Sequence, residues 1–146
     1  MLKVKDIMTV SPVYVAPDTT LHEIIGVMKT HNYRQLPVMD GTELAGIITD
    51  RDVRLVMNSP IVLHDRQEDI TLLHAVTAES CMTANPISVT PDTPAYRAAE
   101  MLSIYKFGAL PVIDGDKLVG IVTVTDYLDY FADKKPETVV DNDSVE

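Results

Sequence analysis

Apolar positions along the chain follow two rhythms, and each rhythm is written twice. Leu21, Ile24, Ile25 and Met28 fall at i, i+3, i+4 and i+7, the spacing that lines one face of a helix, and Ala95, Ala98, Ala99 and Leu102 repeat it. Each predicted helix follows a short strand, Val13 to Val15 or Ile87 to Val89, and a Pro-Asp-Thr turn. Thr20-Leu-His-Glu23 reads as a capping box at the first helix. At the second, Thr93 is the expected cap, with Pro94 in the first helical position. Two strands come next, Leu36 to Met39 and Leu44 to Ile48, joined across Asp40-Gly41; Leu110 to Ile113 and Leu118 to Val122, across Asp114-Gly115, repeat them. Asp-Gly between apolar runs is a strong hairpin signal. Val53, Val56 and Met57, or Tyr127, Tyr130 and Phe131, then mark the buried face of another helix. The pattern is β-α-β-β-α, twice.

The two copies align without a gap from Met8 to Met57 at a displacement of 74 positions. Met8-Thr9 falls on Met82-Thr83, Pro17-Asp18-Thr19 on Pro91-Asp92-Thr93, and Leu36-Pro37-Val38 on Leu110-Pro111-Val112. GIITDRD, Gly46 to Asp52, falls on GIVTVTD, Gly120 to Asp126. An internal repeat of this regularity outweighs any single motif. A unit of about 55 residues buries little surface alone, so the copies are expected to share a core. The segment between them is too apolar for a flexible linker, and Ile70 to Val76 predicts a helical turn or two. The expected organisation is repeat 1 over 1–62, an inter-repeat segment over 63–78, repeat 2 over 79–133 and an acidic, disordered tail over 134–146.

Composition narrows the function. A net charge of −10 argues against a nucleic-acid partner, which needs clustered Lys and Arg, although much of the excess lies in the tail. No apolar run nears the roughly 20 residues needed to cross a bilayer. MLKVKDIM contains no apolar stretch of signal-peptide length, so a cytoplasmic protein is expected. The single cysteine, Cys81, rules out an intrachain disulfide and a cysteine-based zinc site. It stands where the first copy has Ile7, so a buried thiol is expected.

Thr49-x-x-Asp52 and Thr123-x-x-Asp126 sit at strand-to-helix junctions. Threonine caps a helix well there, and an acid in the first turn favours the macrodipole. The same geometry suits a ligand. Unpaired N–H groups at a helix start attract phosphate, while a carboxylate can accept both hydroxyls of a ribose diol. Capping and binding are compatible.

The arrangement resembles the cystathionine-β-synthase (CBS) domain, whose tandem pair is called a Bateman module. DIMTVSPVYVAPDTTL, YRQLPVMDG and GIITDRD carry the resemblance in copy one; SCMTANPISVTPDTPA, FGALPVIDG and GIVTVTD carry it in copy two. It covers about residues 5–133. The resemblance implies an α/β (α+β) fold of two β-α-β-β-α CBS repeats packed with pseudo-twofold symmetry, with clefts between them. It also implies binding of an adenosine-containing ligand (AMP, ADP, ATP or S-adenosylmethionine), pairing into a homodimer, and regulation of an unknown partner protein. No obligatory cofactor is expected.

Carried over position by position, the ribose would rest on Asp52 and Asp126, with Thr49 and Thr123 at the accompanying hydroxyl positions. Beside Asp52 the adenine would meet Ile87 and the stretch from Phe107 to Ala109; beside Asp126, Val13 and the stretch from Tyr33 to Gln35. For Val13, Tyr33, Ile87 and Phe107, ordinary core packing is the competing expectation. Family members often place a basic residue three positions before the proline of the Leu-Pro-Val strand. Copy one has Arg34 there and copy two has Gly108. A guanidinium can grip phosphate with two bonds, so the Asp52 site is expected to take a phosphorylated nucleotide. Arg54 is expected to be merely solvated, and the direction of Lys106 is open.

Nothing in the sequence frames an enzyme. His22, His31, His64 and His74 form no i, i+4 metal pair, and His22 and His31 are expected to face solvent. No nucleophile elbow, dinucleotide fingerprint or Walker loop is present, and Glu68-Asp69 looks solvated. A regulatory sensor is the leading expectation; a binding-silent scaffold for dimerisation or docking is the alternative.

Overall fold

The computed structural model describes residues 1–10, 12–57 and 66–139, with side-chain surroundings for 1–10, 12–57 and 70–133. His64 therefore lies outside the described residues, as do the side chains of Glu68 and Asp69. The chain forms two compact units. Unit 1 gathers residues 1–11, 88–115 and 119 onward; unit 2 holds 12–87 and 116–118.

Unit 2 builds a three-stranded antiparallel sheet from β2 (Gln35–Asp40), β3 (Glu43–Thr49) and β4 (Thr83–Ala84), in the order β2-β3-β4. Helices α1 (Leu21–His31), α2 (Asp50–Met57), α3 (Arg66–Ala75) and the short α4 (Ala78–Cys81) accompany it. Unit 1 has the matching sheet of β1 (Thr9–Val10), β6 (Lys117–Thr123) and β5 (Ala109–Asp114), in the order β1-β6-β5, with α5 (Ala95–Tyr105) and α6 (Val124–Val139). The α/β fold of two like repeats is as the periodicities predict. Each hairpin turns at a glycine with positive φ, +62° at Gly41 and +67° at Gly115, where a side chain would be strained.

The copies exchange their leading strands. Thr9 and Val10 of the first copy pair with Ile121 and Gly120 of the second, and Thr83 and Ala84 of the second pair with Ile47 and Gly46 of the first. Each unit has its own cluster of buried residues. One contains Val4, Leu102, Leu110, Val112 and Val122; the other contains Leu21, Ile24, Leu36, Val38 and Ile48. Each half closes its own core because a segment of the other copy completes it.

The capping box at α1 is present: Glu23 N donates to Thr20 Oγ1 at 3.3 Å, and Thr20 N donates to Glu23 Oε1 at 3.1 Å. Leu21, Ile24 and Met28 are buried beneath it, with Ile25 packed at the margin. In α5, Ala95, Ala98 and Leu102 are buried in the same way. Thr93 does not cap α5. Its hydroxyl accepts from Thr90 N at 3.0 Å, and Pro94 stands at the N-cap instead. The proline ring fixes a turn there that leaves the threonine to brace the preceding loop. The expected short strands reduce to single parallel bridges, Val15 to Val38 and Val89 to Val112.

Three further expectations are corrected. Phe131 is 65% exposed. Tyr127 and Tyr130 already span the stripe that α6 packs inward, and Phe131 falls beyond it, edge-on to Tyr130 at 5.8 Å. Cys81 is half-buried, because Ala78 takes the innermost place in α4; burial, and then Asp52, push its thiol above its ordinary range. α6 runs on to Val139, into the residues assigned to the tail. Among the described residues no helix is long and apolar enough to cross a membrane.

Candidate functional site

Each unit ends a strand and begins a helix in the same way. Thr49 closes β3 and Asp52 lies in the first turn of α2. Thr49 N donates to Asp52 Oδ2 at 2.9 Å, and Asp52 N donates to Thr49 Oγ1 at 3.1 Å. Thr123 and Asp126 repeat this reciprocal cap at 2.9 and 3.0 Å. Both pairs therefore cap their helices, and both are half-buried, so each carboxylate edge still reaches solvent.

Backbone hydrogen bonds fix what lies beside each cap. Asp50 N donates to the carbonyl of Arg34 at 2.8 Å, and Gln35 pairs with Thr49, so Arg34 emerges next to the start of α2. Its side chain is exposed, and among the described residues it has no ion-pair partner. In unit 1, Val124 N donates to the carbonyl of Gly108 at 3.2 Å, with no side chain there to offer charge. Arg54 is held by Asp50 through a 2.9 Å surface ion pair one helical turn away, so it is paired rather than merely solvated. Lys106 is the left-handed C-cap of α5, φ +60°, matching Asn32 at the end of α1.

Thr49, Asp52, Arg34, Val13, Tyr33 and Ile87 all belong to unit 2, whereas Thr123, Asp126, Phe107 and Ala109 belong to unit 1. Core packing does not account for most of the proposed walls. Tyr33 is 36% exposed, Ile87 41% and Phe107 37%. Tyr33 stacks on His31 and Phe107 on Tyr105, each at 5.4 Å between ring centroids, so both units present an exposed aromatic pair after their first helix. Val13 packs at the margin of its cluster, and Ala109 is buried. His22 is exposed as expected, and its ring lies 4.7 Å from that of His74.

Two features escaped the sequence reading. The glycine of each Gly-x-x-Thr run is there for packing: a Cβ on Gly46 would sit 2.7 Å from the Thr83 carbonyl, and one on Gly120 would sit 2.8 Å from that of Thr9. The Met-Thr match is thereby explained, because Met82 and Met8 lie over these glycines. The other feature is a bond from Thr9 Oγ1 to Asp126 Oδ1, 3.1 Å. Nothing local in the sequence signals it, since it joins residues 117 positions apart.

Open grooves run elsewhere. One of about 320 Å³ lies between α1 and α2, lined by Ile25, Met28, Val53 and Met57 among others. Another of about 230 Å³ lies between α5 and α6, lined by Leu102, Val124 and Tyr127 with smaller side chains. Neither contains the Thr-Asp pairs. These grooves are apolar clefts between helices and suit a packed surface better than a nucleotide. Among the described residues no group of three or more His, Cys, Asp or Glu could hold a metal ion.

Comparison with known proteins agrees with the repeat. The family model described as the CBS domain matches residues 4–59 and 78–133. A CBS domain-containing protein of Dictyostelium discoideum is 34% identical over 128 residues, covering 86% of this chain and 88% of that protein. Among solved structures, CBSX2 in complex with AMP superposes with a TM-score of 0.77 at 27% identity, covering 92% of this chain and 99% of that one; CBSX2 is a CBS-pair protein from Arabidopsis thaliana. The CBS domain pair of MJ0100, bound to 5′-methylthioadenosine and S-adenosyl-L-methionine, superposes with a TM-score of 0.76 at 29% identity, with the same coverage.

Proposed function

The chain belongs to the CBS domain family, as a tandem pair, and on that premise we propose that it is a regulatory module that binds an adenosine-containing ligand. The candidates are AMP, ADP, ATP and S-adenosylmethionine. The ribose diol donates its two hydroxyls to the carboxylate of Asp52, and Thr49 holds that carboxylate in place. Arg34 neutralises a phosphate, which favours a phosphorylated ligand in unit 2. Exposed Ile87 offers apolar area to the base beside Asp52. In unit 1, Asp126 and Thr123 repeat the sugar-binding geometry, with Gly108 in place of the arginine. The observation that carries the proposal is the position of Arg34. Its backbone is bonded to the first turn of α2, and its charge has no ion-pair partner among the described residues.

A ligand regulates only if it binds two arrangements of the protein with different affinity. Pairing of two copies is the arrangement we favour for this role, and exposed Leu128 and Phe131 on α6 supply apolar area for it. The regulated partner is then a separate protein, and the module acts in the cytoplasm.

One observation favours the scaffold alternative: both Thr-Asp pairs serve as helix caps. Calorimetry of ligand-stripped protein against the four candidates separates the two. The sensor reading expects saturable binding by at least one of them. No heat from any, up to millimolar concentration, leaves the scaffold.

A further inference from the structure

The two half-sites are matched in backbone and caps, yet their carboxylates are not equally free. Asp126 has both oxygens engaged, Oδ2 by Thr123 N at 2.9 Å and Oδ1 by the Thr9 hydroxyl at 3.1 Å. Asp52 has Oδ2 engaged by Thr49 N, and among the described residues nothing donates to its Oδ1. The contrast is not one of residue type, because the position matching Thr9 is Thr83, also a threonine on a strand that enters the sheet. Thr9 is placed by its ladder partner Ile121, two residues before the cap residue Thr123, so its hydroxyl is carried to the helix start by the register of β1 on β6. Thr83 holds the matching register on Ile47 without making the bond.

We infer that Thr9 latches the unit 1 site: its hydroxyl holds the oxygen of Asp126 that a vicinal diol must use, so unit 1 is the weaker of two adenosyl sites. This rests on the function proposed above and adds which site fills first and which residue sets the order. A diol entering unit 1 competes with the Thr9 hydroxyl for Asp126 Oδ1, where a second donor adds less than the first, and so loses part of its gain. In unit 2 the diol meets a free oxygen. As ligand concentration rises, unit 2 fills first and unit 1 follows at higher concentration.

The test uses adenosine, which lacks phosphate and so removes Arg34 from the comparison. In an Asp52→Ala background, where only unit 1 can bind, adding Thr9→Val removes the donor and keeps a strand-favouring shape. The affinity of that site is expected to rise about fivefold, the scale of one typical net hydrogen bond. In an Asp126→Ala background the same Thr9→Val is expected to change nothing. Circular dichroism and thermal melting verify that each variant is folded. A folded Asp52→Ala/Thr9→Val protein whose adenosine affinity stays within twofold of Asp52→Ala alone, or which binds none, overturns the latch. The parent protein reports separately on the function: if it binds no adenosyl ligand, the sensor proposal itself fails.

Discussion

Replacing Asp52 by asparagine and by alanine separates the two tasks that this side chain performs. As a cap, Asp52 Oδ2 accepts the Thr49 N–H at 2.9 Å. Asparagine keeps an acceptor oxygen for that bond and loses only the charge beside the macrodipole, a few tenths of a kcal/mol at a half-exposed position. Alanine loses the bond as well, for about 1 kcal/mol in total. For a chain of 146 residues this corresponds to a melting shift of about 1 °C for Asp52→Asn and about 4 °C for Asp52→Ala. As a ligand group, the carboxylate offers two charged acceptors to the diol; asparagine offers one neutral acceptor and a donor that faces a donor. Losing one charge-assisted bond and weakening the other costs about 2 kcal/mol, or roughly thirtyfold in Kd. The assay is calorimetry with AMP alongside scanning fluorimetry of the free proteins. The account expects Asp52→Asn to be nearly as stable as the parent and to bind AMP roughly thirtyfold more weakly. Asparagine binding within threefold of the parent would refute the reasoning, because it would leave Asp52 as a cap and nothing more.

Three other outcomes follow from the same geometry. Arg34→Ala should weaken AMP binding about tenfold and leave adenosine binding unchanged, and the difference should shrink as salt is raised from 0.05 to about 0.5 M; equal losses for both ligands would remove Arg34 from phosphate recognition. Gly46→Ala should destabilise the fold by about 1–3 kcal/mol in urea titrations, because its methyl group would press on the Thr83 carbonyl; an unchanged midpoint would contradict that packing. Asp92 is held below its ordinary 3.8 by Lys3 and Lys5, whose ammonium groups lie 3.5 Å away. A lowered folded-state pKa stabilises above the unfolded value and loses that contribution as pH falls through the folded one. Melting temperatures of the parent should therefore fall more steeply below about pH 4 than those of Asp92→Asn; parallel curves would count against the contact.

The elements were legible because local chemistry dictates them. The i, i+3, i+4, i+7 stripe of α1 is closed by a capping box that the structure contains, and both Asp-Gly turns need the positive φ that glycine supplies. Pairing over long range was not legible. Thr9 to Val10 and Thr83 to Ala84 are two-residue strands whose partners lie in the other copy, and a repeat read along the chain gives no reason to exchange them. The candidate site divides similarly. Thr49, Asp52 and the reciprocal cap follow from spacing, whereas the bond from Thr9 to Asp126 depends on strand register and could not be read from either residue's neighbours. Thr93 was misassigned because a threonine before proline fits both a cap and a turn brace, and only the loop geometry decides between them.

A crystal structure of the protein grown with AMP tests the central claim most directly. The account predicts both ribose hydroxyls within hydrogen-bond distance of the Asp52 carboxylate and the phosphate against the guanidinium of Arg34. AMP bound with its sugar away from Asp52, or the Asp52 carboxylate still facing solvent at saturating AMP, would contradict it.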